Sequence, residues 1–146
     1  MATTIDLRDP RAVVEGVYTI ISGAAGAPRD WDLFRTLYLP GAHLLRTTVE
    51  AGVVRPAHFS VEEYIANVTE LFAREPFHEF ATGYRFERFG AVASVRSAYE
   101  AKRGASDPQA FKRGVNFVQL FHDGSRWWIA SVVWDNEREG VVERAA

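Results

Sequence analysis

The sequence contains no cysteine, and that absence removes a disulfide framework, a zinc–thiolate centre and a thiol nucleophile together. Basic residues are not in surplus either. The 17 Lys and Arg stand against 19 Asp and Glu without a run of either basic residue, so no nucleic-acid-binding face is expected. No apolar stretch approaches the ~20 residues of a membrane-spanning helix. Met1 to Asp9 is polar where a secretory leader needs an apolar segment. A cytoplasmic protein with no membrane partner is the expectation. His43, His58, His78 and His122 are scattered singly, with no His-x-x-x-His spacing and no carboxylate arranged beside them, so no metal site is expected. Gly23-Ala-Ala-Gly26 lacks the preceding strand and following lysine of a phosphate loop, and Ser22, Ser60, Ser97 and Ser131 lack a nucleophile-elbow context. No cofactor is expected.

What the chain does have is rings: aromatic residues make up 13% of 146 positions. A chain of this length forms one domain in the usual case, here 1–146, and can bury a core without staples. Many large rings in one small domain point either to a ring-rich core or to a ring-lined ligand site.

Hydrophobic spacing divides the chain into helices and strands. Asp9-Pro10 reads as a cap followed by proline in the first turn, and Val13, Val14, Val17, Tyr18 and Ile21 then recur at helical steps. Asp30 can cap a short second helix carrying Trp31, Phe34, Leu37 and Tyr38, stopped by Leu39-Pro40-Gly41. Residues 42 to 59 read as one or two short strands with a turn near Ala51-Gly52. Ser60-Val61-Glu62-Glu63 is a capping box that opens a third helix, with Tyr64, Ile65, Val68, Leu71 and Phe72 on its buried side.

After Pro76 the period becomes two. Phe80, Thr82, Tyr84 and Phe86 should point to one face, and Glu79, Arg85 and Glu87 to the other. A turn near Gly90 leads to Ala93, Val95, Ser97 and Tyr99. Two apolar strands, Val115 to Phe121 and Trp127 to Asp135, then flank His122-Asp123-Gly124-Ser125. With Asp123-Gly124 as the turn, Val115, Phe117 and Gln119 share a face with Val132 and Trp134. The order of elements predicts an α+β domain, three helices on a curved antiparallel sheet. Both faces of the last hairpin are apolar, and three short helices cover only one, so the convex face is expected to bury itself in a homodimer.

The element order and the closing segment from Gly114 to Asp135 resemble the nuclear-transport-factor-2-like (SnoaL-like) superfamily, as do Asp30-Trp31-Asp32-Leu33-Phe34-Arg35 and the helix opening at Ser60. The resemblance implies a cystatin-like cone with a deep pocket between helices and sheet, often in a dimer, and leaves the chemistry open. Against ketosteroid isomerase, a relative this resemblance brings in, Tyr18 falls at the phenol position. The base position falls on Arg46 and the second acid on Phe117. Arginine cannot act as a base at neutral pH and phenylalanine cannot donate, so that mechanism is not expected. Against limonene epoxide hydrolase, Asp32 and Asp135 fall at the rim. Tyr18, Trp31, Tyr64, Phe117, Gln119 and Trp134 are the candidate pocket residues. Arg46 joins them because a guanidinium turned into an apolar cavity calls for a carbonyl or anionic partner. His43 and His58 flank the first-strand region, either at the mouth or in solvent. The expectation is a small-molecule-binding pocket for a flat apolar carbonyl or carboxylate compound, with acid/base turnover left open. A noncatalytic dimerising or protein-binding module is the alternative.

Overall fold

A computed structural model describes residues 4–143. Helix α1 (Pro10–Ile21) opens where the Asp9 side chain accepts the Arg11 N–H and Pro10 occupies the first turn. Val13, Val14, Tyr18 and Ile21 form its buried side. Helix α2 (Trp31–Thr36) is capped by Asp30, which accepts from Leu33 N–H. Helix α3 (Val61–Arg74) carries both halves of the capping box: Glu63 N–H donates to Ser60 Oγ at 3.1 Å, and Ser60 N–H donates to Glu63 Oε1 at 2.9 Å.

Six strands complete the fold: β1 (Tyr38–Glu50), β2 (Val53–Phe59), β3 (His78–Phe89), β4 (Val92–Lys102), β5 (Lys112–His122) and β6 (Trp127–Asn136). They form one sheet in the order β2-β1-β6-β5-β4-β3. The architecture is α+β, with two corrections to the expected sheet. It is mixed, because β1 runs parallel to β6 while every other pair is antiparallel. The region read as short strands holds a strand of 13 residues and one of 7. Leu39-Pro40-Gly41 does not end α2 but lies inside β1, at the register break between Tyr38 and His43, where a residue without an N–H interrupts no ladder bond. Ala51 and Gly52, both at positive φ, make the β1–β2 turn where it was expected.

Two bulges decide which side chains face inward. One extra residue, Thr82, separates the pairs Ala81↔Tyr99 and Gly83↔Ala98. Another, Ala130, separates Gln119↔Ser131 from Leu120↔Ile129. Each bulge bends its strand and reverses the alternation beyond it. The β5–β6 connection is also longer than the two-residue turn expected from Asp123-Gly124. His122 pairs with Trp127, and Asp123 closes a loop of residues 123–126 by accepting from Ser125 N–H, Arg126 N–H and Trp128 Nε1–H. The helices cover one face of the bent sheet, α1 against β3 and β6 and α3 against β1 and β2. On the other face the segment Val141, Val142 and Glu143 borders a groove with Phe117 and Val133, and no helix among the described residues covers it, so Phe117 stays 48%, Val133 42% and Phe121 38% exposed. No helix among the described residues is long and apolar enough to cross a membrane.

Candidate functional site

The concave face is built from rows of side chains that run across the strands in register. One row is apolar: Leu44, Val132, Val118 and Val95. The next is polar and spans five strands, Arg46, Trp134, Asn116, Ser97 and Tyr84. In the following row Tyr99 lies over Gly114, the one position that leaves space for its ring. A Cβ on Gly114 would collide with the Tyr99 hydroxyl and the Asp135 carbonyl. The last row is Glu79, Ala101 and Lys112.

Between these rows and the helices lies a cavity of about 130 Å³. Its inner walls are apolar, from Val14, Ile21, Leu71, Phe72, Ile129 and their neighbours, and Asn67 is the exposed lining residue that marks its opening. The polar floor is held by Tyr18. Its hydroxyl lies 2.6 Å from Ser97 Oγ and accepts from Asn116 Nδ2–H at 2.9 Å, so the 0%-exposed Ser97 has a partner. Burial pushes the Tyr18 phenol far above its ordinary value, so it remains protonated at any working pH.

Glu79 is the ionisable group that the alternation of β3 hid. The Thr82 bulge puts it on the helix-covered face with Ala81 and Tyr84, opposite to Phe80, and there it lines the cavity. Its backbone is clamped to the end of α1. Glu79 N–H donates to Ser22 Oγ at 3.0 Å, and the neighbouring Phe77 exchanges two backbone bonds with Gly23 at 2.8 and 3.0 Å. Among the described residues its carboxyl group has neither a hydrogen-bond partner nor an ion pair. Desolvation raises it from 4.5 to about 7, against the attraction of Lys112. Lys112 is itself held below the usual lysine range by burial, opposed by Glu79. Gly83, a glycine inside a strand pattern, was the sequence signal for this bulge.

No protein-family model and no curated protein matches the sequence. Solved structures do match its shape. An NTF2-like protein of unknown function from Pseudomonas putida superposes with a TM-score of 0.63 at 12% identity, over 92% of this chain and 89% of that one. A protein of unknown function with a cystatin-like fold from Nostoc punctiforme gives 0.56 at 11% identity, over 74% and 77%. The beta subunit of a proposed aromatic-ring-hydroxylating dioxygenase from Novosphingobium aromaticivorans gives 0.56 at 10% identity, over 80% and 79%. The chain has the nuclear-transport-factor-2-like fold.

Within this nuclear-transport-factor-2-like cone the sequence-derived candidates separate into two groups. Tyr18, Arg46, Tyr64 and Trp134 line the cavity. Trp31, Phe117 and Gln119 do not. Trp31 packs outside, its ring 5.2 Å from Phe34 and 6.3 Å from Phe72. Phe117 faces the convex side and Gln119 donates to Ser94 Oγ at 2.9 Å, because the Ala130 bulge shifts β5 by one face against β6. Asn116 and Val118 take their places. His43 and His58 bond to each other at 2.8 Å, both exposed, and neither lines the cavity. Asp32 is exposed beside Arg35, and Asp135 accepts from Thr47 and Arg138 outside the cavity, which leaves Glu79 as the only carboxylate in the lining among the described residues.

Proposed function

We propose that the protein binds a small, flat, mostly apolar molecule carrying one carbonyl or carboxylate group. The observation that carries this reading is the hollow itself, open at Asn67. Rings that could have closed on one another leave about 130 Å³ open above a fixed Tyr18 hydroxyl. A cavity of roughly 150 Å³ lined by apolar side chains admits a benzene ring. The size therefore suits one ring, with anything larger protruding past Asn67. Tyr18 can donate to a carbonyl oxygen when Ser97 and Asn116 both donate to the phenol, and Arg46 supplies a charge for a carboxylate. Glu79 adds a group able to exchange a proton near neutral pH, which is the minimum equipment for acid/base turnover. The fold does not choose the chemistry, since solved structures of the same shape include a proposed dehydratase and the beta subunit of a proposed ring-hydroxylating dioxygenase.

Thermal-shift measurements with a panel of single-ring acids, amides and ketones test the binding reading. A shift with one class, lost in Tyr18→Phe or Trp134→Ala, supports it, and no shift with any class contradicts it. The convex face favours a second property. Its uncovered Phe117, Phe121 and Val133 suit pairing with another copy of the chain, and a homodimer formed through that face is part of the proposal.

A further inference from the structure

Three charged side chains line the cavity: Arg46 from β1, Glu79 from β3 and Lys112 from β5. Several charges elsewhere are paired. Arg35 meets Glu62 at 2.7 Å, Arg96 meets Glu143 at 2.6 Å and Arg113 meets Glu100 at 2.7 Å. Among the described residues, none of the three cavity charges has such a partner, and Arg46 is instead 5.6 Å above the Phe59 ring. Two cations therefore share apolar walls with one carboxyl group. The surplus is one positive charge when Glu79 is ionised and two when it is protonated. Charge enclosed without a partner is costly, and a ligand of opposite sign recovers that cost.

We propose that the cavity takes a monoanionic single-ring carboxylate anchored by Arg46 and Lys112, and that Glu79 accepts a proton as the anion enters. This rests on the ligand-pocket reading above and specifies its charge. The geometry of the last row couples the two events. Glu79 and Lys112 share a register row with only the Ala101 methyl between them, so a carboxylate drawn to Lys112 comes within electrostatic reach of Glu79. The entering carboxylate adds a second negative charge near a carboxyl group that burial already disfavours as an anion, and so raises the proton affinity of Glu79 further. The other groups around Glu79 do not offer a competing proton acceptor. Tyr18 from α1, Tyr64 from α3 and Tyr99 from β4 are all held protonated by burial. Arg11, Glu15 and His78 border the groove on the α1 side of Glu79 rather than the cavity. A neutral ketone or amide would leave the positive surplus uncompensated, which is why an acid is favoured.

Isothermal titration with benzoate and its neutral counterpart benzamide tests this at pH 7 and 8, each in a pair of phosphate-free buffers, PIPES and imidazole at the lower pH and HEPES and Tris at the higher. The two buffers of each pair differ in ionisation heat and so count protons. Benzoate should bind more tightly than benzamide, taking up about half a proton at pH 7 and nearer one at pH 8, with affinity falling up to about fivefold between them. Glu79→Gln should bind benzoate without proton uptake and without that fall. Lys112→Met should lose benzoate affinity about tenfold and keep that for benzamide. Proton uptake that persists in Glu79→Gln, benzoate bound without uptake, or benzamide bound as tightly as benzoate would each overturn the inference and leave the pocket reading standing. Failure of benzoate, benzamide and toluene alike to bind a protein that melts cooperatively would overturn both.

Discussion

Glu79 and Lys112 stand in one register row of the sheet, two strands apart, with Ala101 of the intervening strand between them. Neighbouring strands lie about 4.8 Å apart, so the two backbones are roughly 10 Å from each other and their long side chains reach over a fully buried methyl. A larger residue at position 101 would stand in that space. Ala101→Leu should therefore weaken binding of a small acid by filling the gap, with the loss read by titration. Overpacking at such a buried site should also lower stability by about 1–3 kcal/mol in urea unfolding.

The raised Glu79 carboxyl makes stability depend on pH. It binds its proton more tightly in the folded chain, near 7, than in the unfolded chain, near 4.5. Folding is therefore unpenalised below pH 4.5, loses stability as pH rises from 4.5 to 7, and changes no further above that. The loss is on the order of 3 kcal/mol. Glu79→Gln should match the wild type at pH 4.5 and exceed it at pH 8. Urea unfolding at the two pH values checks this, and equal stability differences at both would contradict it.

Tyr18 and Ser97 form a buried pair whose partners are each other and Asn116. Tyr18→Phe strands a fully buried serine hydroxyl and should cost about 1–3 kcal/mol. Ser97→Ala in the same chain should recover part of that loss, because it removes the stranded group. The double-mutant cycle in urea measures the coupling, and strictly additive effects would contradict it.

Gly114→Ala should be poorly tolerated, since the new methyl meets backbone as well as the Tyr99 ring. Pairing Gly114→Ala with Tyr99→Phe relieves only the hydroxyl and should not restore the melting temperature. Full restoration would place the whole constraint in the side chain.

On the convex face, Phe117→Glu should convert the expected dimer to a monomer without unfolding it, because the side chain is half-exposed in the isolated chain. Sedimentation velocity of both proteins decides this. A wild-type monomer at micromolar concentration would remove the dimer from the account.

Much of the framework could be read directly from residues whose meaning is local. Asp9, Asp30 and Ser60 cap the helices they were expected to cap, and Ala51-Gly52 and Gly90 turn the strands they were expected to turn. Alternation in β4 correctly buried Ala93, Val95, Ser97 and Tyr99, because no bulge interrupts that strand. The errors came from features with longer reach. Two inserted residues, Thr82 and Ala130, reversed the faces of Glu79 and of the β5 side chains relative to β6, and an alternating pattern carries no count of such insertions. The parallel β1–β6 pairing joins segments some ninety residues apart, and nothing in either segment alone specifies its partner. Thus Tyr18, Tyr64, Arg46 and Trp134 were found in the lining, while Glu79 and Lys112 were not expected there.

The account depends on a hollow that stays open and takes a ring with its acid group toward Arg46 and Lys112. A crystal structure grown with benzoate measures this directly. The account predicts ring density between Tyr64, Val118 and Trp134, with the carboxylate in contact with at least one of the two cations. A cavity closed by repacked side chains, or a benzoate found only outside it, would contradict the account.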